Sequence, residues 1–496
     1  MKRIIFAILF LLPLMVNSQN MYNVTGLLDN APSGTARFVG MGGSMGALGA
    51  NLSVMGTNPA GTALYRSNDF YISGAIDVVE NNSTFKGRNS NVKYDGTGLN
   101  NIGFLFACEL ENSPVKFINF GINYGRKGNL RNKFSMDGNP DGFSQQYVIW
   151  DLYDMSDNNL SEITPDSYAG FNYNWLALLA TDAAVSDIDG VSNQSSYYSE
   201  ETGGVNVADF NISVNMGDQV YIGATLGYHS VDYSRYSCYT ESFDSDDNYS
   251  LTNNYRLSGS GVDFKLGVIL RPFKYSPFRV GLSVHTPVLY KLLDSSSATI
   301  DSRVKEKEYM YETASDLCYG DNLYSAYSLR TPWRFGAAMS YTFGSHFALN
   351  AEYEYSNLAK MSFTQKNDIS AAQNEEIVSN LKSQHTLRLG AEYTVKKIAL
   401  RAGYNYISAP FSKDAFKYMG NATITETATE YMNKYGKNVA TLGLGYAGKM
   451  FYIDLAYMYQ SQKSDFYPYY DMEFINPVAT VNTKSHSFII GAGIRF

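Results

Sequence analysis

The chain has 496 residues and a net charge of −8, with 45% hydrophobic and 17% charged residues. That charged share is below the roughly 25% of ordinary soluble domains, while 41 Tyr and 28 Phe make it rich in aromatics. The counts exclude disorder, collagen-like repeats and coiled coils, and the mildly acidic balance gives no footing for nucleic acid.

Residues 1–18 read as a secretory signal peptide. Lys2 and Arg3 precede an apolar run from Ile4 to Val16, and Ser18 is a small residue before Gln19. That run is too short for a membrane helix, which takes ~20 residues. No later stretch reaches that length; the best, Trp175 to Ala180, is far shorter. An exported chain without an apolar helix is either soluble or a membrane β-barrel.

Residues 19–67 are Gly- and Ala-rich, with Gly40, Gly42, Gly43, Gly46 and Gly49 spaced through small residues. They lack strand periodicity and are too apolar for a solvated tail.

From residue 68 onward the period is two. Leu387, Leu389, Ala391 and Tyr393 oppose Arg388, Gly390 and Glu392; Ile398, Leu400, Ala402, Tyr404 and Tyr406 oppose Arg401, Gly403 and Asn405. Phe278, Val280, Leu282 and Val284 oppose Arg279, Gly281, Ser283 and His285. One face is apolar and ends in Tyr. The other holds Gly and charge, unlike the Lys- and Thr-rich outer face of a soluble sandwich. Runs of ~10 residues, tilted by ~40°, cover a lipid-facing band roughly 25 Å tall with aromatic girdles.

Fourteen such strands begin near Asn68, Asn101, Val115, Gly204, Gln219, Asn253, Pro277, Ala326, His346, Leu381, Lys397, Val439, Met450 and Lys484. Short turns alternate with long connections over 81–100, 128–203, 236–252, 291–325, 365–380, 408–438 and 461–483. This predicts an all-β fold, a transmembrane antiparallel β-barrel of about 14 strands over 68–496, in an outer membrane of the Gram-negative type. Lipid and lipopolysaccharide would surround it as a monomer. The terminal Phe496 would address the barrel-assembly machinery. So wide a barrel has more lumen than its wall side chains fill, so 19–67 is expected as a plug, or hatch.

Three motifs carry a family resemblance: Ala36-Arg37-Phe38-Val39-Gly40-Met41-Gly42-Gly43, then Asn58-Pro59-Ala60-Gly61 before the first strand, and His285-Thr286-Pro287 in a middle strand. With the layout of hatch, fourteen strands and terminal Phe, the chain resembles the FadL/TodX family of outer-membrane transporters for hydrophobic compounds. The resemblance implies passive passage of molecules such as long-chain fatty acids, through a shifting hatch and a lateral wall opening. The long connection 128–203 and the charged inner face depart from the family's pattern.

The expected hatch motif is thus Asn58, Pro59, Ala60 and Gly61. Lumen candidates are Arg279, Ser283, His285, Arg388, Glu392 and Arg401. Trp175, Leu176, Leu178 and Leu179 form an apolar cluster in a polar loop, expected as an exposed ligand-capture site, with packing within the loop as its alternative. A surface receptor or adhesin, including a haem receptor, is the rival reading; a lipid hydrolase is a weaker one. Gly42-Gly43-Ser44-Met45-Gly46 matches Gly-x-Ser-x-Gly but has no strand before it. Asp244, Asp246 and Asn248 start a calcium-loop spacing that Tyr249 and Tyr255 break. His229, His285, His346, His385 and His486 lack metal spacing. No catalytic residue, metal or cofactor is therefore expected. Cys238 and Cys318 both fall in or near expected outer loops and could bridge, with coincidence as the alternative reading.

Overall fold

The computed structural model describes residues 20–155, 175–312, 323–364, 371–417, 427–470 and 476–496. The expected signal peptide, residues 1–18, and Cys318 lie outside them. Nineteen strand segments form one sheet. They are β1 (Asp69–Phe85), β2 (Arg88–Glu109), β3 (Val115–Asn129), β4 (Asn132–Gly138), β5 (Ser192–Met216), β6 (Val220–Phe243) and β7 (Asn248–Leu270). Next come β8 (Arg279–His285), β9 (Leu289–Val304), β10 (Lys307–Glu312), β11 (Leu323–Arg330), β12 (Arg334–Phe343), β13 (Phe347–Asn357) and β14 (Ser362–Thr364). The last are β15 (Ser383–Val395), β16 (Ile398–Ile407), β17 (Tyr431–Ala447), β18 (Phe451–Tyr467) and β19 (Ala479–Arg495).

Every ladder is antiparallel, and β1 pairs with both β2 and β19, which closes the sheet. Several segments are pieces of one strand. β3 continues into β4, β8 into β9, β10 through β11 into β12, and β13 into β14. The wall is therefore a closed barrel of fourteen strands. Closure matters because hydrocarbon offers the backbone no hydrogen-bond partner.

Two neighbouring strands break at one level. Pro287 and Pro332 each lack the N–H a ladder needs, and the freed groups are satisfied locally. Val288 N donates to Thr331 Oγ1 at 2.8 Å, Thr331 N donates to Val288 O at 3.1 Å, and Phe264 N donates to Thr286 Oγ1 at 2.9 Å. That is the structural role of His285-Thr286-Pro287.

The inside and outside assignment holds along the strands. Phe70, Phe104, Ile122, Leu226, Phe264, Leu389, Leu400, Leu444 and Ile490 are exposed on the outer face. Tyr341, Tyr393 and Tyr446 flank this belt at one end and Tyr228, Tyr404 and Tyr406 at the other. The buried inner face carries Asp77, Asp209, Lys265, Glu352, Arg388, Arg401 and Asp454. Apolar outside and charged inside is the reverse of a soluble protein, and lipid is the solvent that reverses it.

Several expected loops are strand instead. The 81–100 span is a hairpin in which Asn82 pairs with Asn91 around a tight turn at Lys86 and Gly87. β6 runs to Phe243 and β7 starts at Asn248, so no long loop spans 236–252. The described residues of spans 291–325 and 461–483 are also largely strand. Beyond the lipid band the outward face meets water and carries Ser, Thr and Asn, so apolar alternation ends. Backbone pairing does not end with it.

The described residues of the 128–203 connection contain β4, the helices Gln145–Met155 and Trp175–Asp182, and the start of β5. With the outer ends of the strands these helices build an apolar core of Phe134, Leu152, Leu176, Leu179, Tyr197, Phe243 and Phe466. A further helix, Ala371–Asn380, lies between β14 and β15 in the chain and adds Ile377 to a second inner core.

Candidate functional site

The site is built by the segment before β1. Its short helices Met21–Thr25 and Ala36–Gly40 and its 3-10 helices Leu52–Gly56 and Pro59–Leu64 lie against the inward faces of the wall. Asn58 caps the last of these. Its Oδ1 accepts from Ala60 N at 3.2 Å and its Nδ2 donates to Gly46 O at 2.6 Å. Pro59 takes the first helical position, where its missing N–H costs nothing. The Asn-Pro-Ala turn is therefore fixed by its own sequence before it meets the wall.

The wall meets it with glycine. A Cβ on Gly223 would overlap the Pro59 carbonyl, one on Gly267 would overlap Asn58 Oδ1, and one on Gly281 would overlap Gly46 O. On the opposite wall, a Cβ on Gly403 would overlap the Gly42 backbone. The inward glycines are sockets for the backbone of residues 40–60.

Ion pairs fasten the same segment. Arg37 forks onto Glu392, with Nε to Oε2 and Nη2 to Oε1 both at 2.9 Å. Arg401 donates to Glu392 at 2.6 Å and to Asp454 at 2.6 Å. Bidentate, charge-assisted bonds of this kind are among the strongest available to side chains. Arg388 holds Glu352 at 2.9 Å and Glu354 at 3.2 Å, and Glu352 accepts from Gly46 N at 2.9 Å. His285 Nε2 lies 2.6 Å from Thr57 O, and Arg279 donates to Leu48 O at 3.1 Å.

Five of the six lumen candidates therefore hold the N-terminal segment directly or through one shared partner. Ser283 shares their face but packs beside Gly336. The sequence reading missed Arg37, Lys127, Asp209 and His229. On the wall, Lys265 and Asp263 form a buried group with Asp209 and His229, at 2.7 Å (Lys265–Asp209), 3.0 Å (Lys265–Asp263) and 3.0 Å (His229–Asp263). Each wall residue of that group sits on an inward position, so the strand period was the signal that could have found them.

Two cavities flank the segment. One of about 230 Å³ has apolar lining from Leu28, Val39, Val79, Met432, Met458 and Ile489. The other, about 110 Å³, is lined by His229, Lys265, Arg334, Glu354 and Arg388. Arg126 and Lys127 line both. Arg126 is paired with Asp77 at 2.7 Å. Lys127 makes no ion pair or hydrogen bond among the described residues.

The capture candidates require a correction. Leu176 and Leu179 are 0% exposed, packed in the outer core with Phe134 and Phe466, and so are not an exposed patch. An apolar helix in a polar connection is equally the mark of a small core, and here the tall strand ends supply the other half. The side chains of Trp175 and Leu178 lie outside those described.

No family model matches the chain, and no curated protein matches it by sequence. Solved structures do match. A Pseudomonas aeruginosa FadL homologue aligns over 94% of this chain and 99% of its own, at 12% identity and a TM-score of 0.57. The P. putida toluene transporter TodX aligns over 94% and 99%, at 12% identity and a TM-score of 0.51. The chain therefore has the fold of these proteins, a closed antiparallel β-barrel of fourteen strands.

Proposed function

We propose that the protein is an outer-membrane channel through which hydrophobic small molecules pass without energy input, with residues 19–67 as its hatch. The supporting fold likeness is to a FadL homologue and to a toluene transporter. The observation that carries the reading is the larger cavity beside the N-terminal segment, where apolar side chains stand next to the unpaired Lys127. That chemistry suits a molecule with a hydrocarbon body and one anionic end, such as a long-chain fatty acid. The body would replace water against Met458 and Ile489, at about 25 cal/mol per Å² of apolar surface buried. The carboxylate would face Lys127. At about 230 Å³ the cavity is below the usual 300–1,000 Å³ of ligand pockets, so passage requires the hatch to shift.

The test is uptake of radiolabelled oleate and toluene by cells with and without the protein, at matched surface amounts. Protein-dependent uptake of oleate, weakened by Lys127→Ala, is the expected result. Uptake independent of the protein would return the reading to a surface receptor.

A further inference from the structure

Resting on the outer-membrane reading above, one patch of the wall's outer surface fits a particular lipid headgroup. It begins where the strand phase changes. Below the breaks, Leu282 of β8, Met339 of β12 and Tyr353 of β13 face outward. Above them the outward residues are Leu289 and Lys291 of β9, Ser328 and Arg330 of β11, and Thr364 of β14. A regular strand turns every second residue to one face, so each outward set has slipped by one residue. The slips fall at Pro287, at Pro332 and at the 3-10 turn Leu358–Lys360. They bring Lys291 and Arg330 out and turn Tyr290 and Leu329 in, where both are buried.

The pairing sets the height of these cations. Leu289 pairs with Val262 and with Arg330, and Val262 pairs with Tyr228. Arg330 therefore stands in the row of the outer tyrosine belt. Lys291 is its diagonal neighbour on the next strand, about 7–8 Å away, so both side chains can reach one group. Lys360 lies two residues before Ser362, which pairs with Arg330 on its other side. Trp333 is exposed beside Arg330, its ring 6.4 Å from that of Phe335, in the manner of a membrane-interface anchor.

All three cations are exposed, and none makes an ion pair or a side-chain hydrogen bond among the described residues. The outward positions around them are Ser260, Ser328, Ser362 and Thr364, which carry hydroxyls rather than carboxylates. Other exposed cations are matched: Arg256 lies 3.3 Å from Asp232 and Lys93 3.7 Å from Glu80. A cluster of positive donors and hydroxyls without an acidic neighbour suits a group with several anionic oxygens. A phosphate has them, and an arginine fork fits it.

We propose that Arg330, Lys291 and Lys360 clasp a phosphate of lipopolysaccharide, the phosphorylated glucosamine lipid of the outer leaflet, whose acyl chains lie along the apolar belt below. The three cations come from three neighbouring strands at the level where their ladders are interrupted. One phosphate would staple the wall there from outside.

The test uses the full-length protein, purified in mild detergent and stripped of lipid. Bisphosphorylated lipid A is added and retention is read by native mass spectrometry. The unmodified protein should hold one lipid A per barrel and release the dephosphorylated form. Lys291→Gln, Arg330→Gln and Lys360→Gln together should weaken retention by about tenfold or more, because each cation near an anionic lipid surface contributes severalfold. Lys463→Gln with Lys484→Gln, which removes exposed charge elsewhere, should leave it unchanged. Equal retention by the triple variant overturns the clasp. Equal retention of phosphorylated and dephosphorylated lipid A by the unmodified protein overturns it too, even if the triple variant fails to fold. Displacement by an equal concentration of inorganic phosphate overturns the lipid as occupant. None of these readings needs transport, so oleate uptake that is independent of the protein would end the channel reading and leave the clasp standing.

Discussion

Asn58 occupies the space that a Cβ on Gly267 would need. The Asn-Pro-Ala turn and its socket are one contact, written at two places in the chain more than two hundred residues apart. Asn58 without a glycine opposite has no seat, and Gly267 without Asn58 leaves a hole in the inner wall.

That contact has a measurable coupling. Gly267→Val should cost about 1–3 kcal/mol by overpacking. Asn58→Ala should cost about 1–3 kcal/mol by leaving Gly46 O without its donor. Their combination should cost less than the sum, because each removes what the other offends. Urea unfolding in lipid vesicles measures this, and strict additivity would separate the two residues.

The inside and outside of the wall should respond in opposite ways. Leu400 is 53% exposed and Arg401 8%. Leu400→Arg places a charge on the lipid face, at a cost of ~2–4 kcal/mol near the bilayer midplane. Leu400→Ala should insert normally. Heat-modifiable mobility on gels reports insertion, and Leu400→Arg inserting as well as Leu400→Ala would reverse the assignment.

Glu392 accepts from both Arg37 and Arg401. Glu392→Gln leaves two guanidinium groups partly uncompensated, and breaking a buried pair in this way costs about 3–5 kcal/mol. Replacing Arg37 by Met in the same chain should recover part of the loss. Thermal unfolding followed by tryptophan fluorescence checks both, with no recovery as the contrary result.

Leu176 and Leu179 belong to the outer core rather than to a capture surface. Leu176→Ala should therefore act on stability, at about 2–5 kcal/mol for a buried leucine, and speed proteolysis within 139–191. Oleate uptake should fall only as far as the amount of folded protein falls. A loss of uptake at full surface abundance would restore the capture role.

Much of this was legible in the sequence. The strand period alone separated Leu400 from Arg401 and put Arg388 and Glu392 inside. What it could not register was pairing beyond the membrane. Between Asn81 and Asn100 the outward face meets water, so the apolar period disappears although the ladder runs on to Phe85 and Arg88, and Phe85 itself is buried in the outer core. The helix at Trp175–Asp182 was visible as apolar, but burial depends on partners such as Phe466 nearly three hundred residues away. The sockets were visible only as glycine on the inner face. Their purpose depends on which residue of the N-terminal segment lies opposite, and that is a fact of three dimensions.

The most direct measurement of the central claim is transfer by the purified protein in liposomes. Fluorescently detected movement of oleate from outside donor to trapped acceptor should depend on the protein and saturate with oleate. It should also need no ion gradient and fall in Lys127→Ala. A transfer rate equal to that of protein-free liposomes, with the barrel correctly inserted, would contradict a channel for hydrophobic molecules.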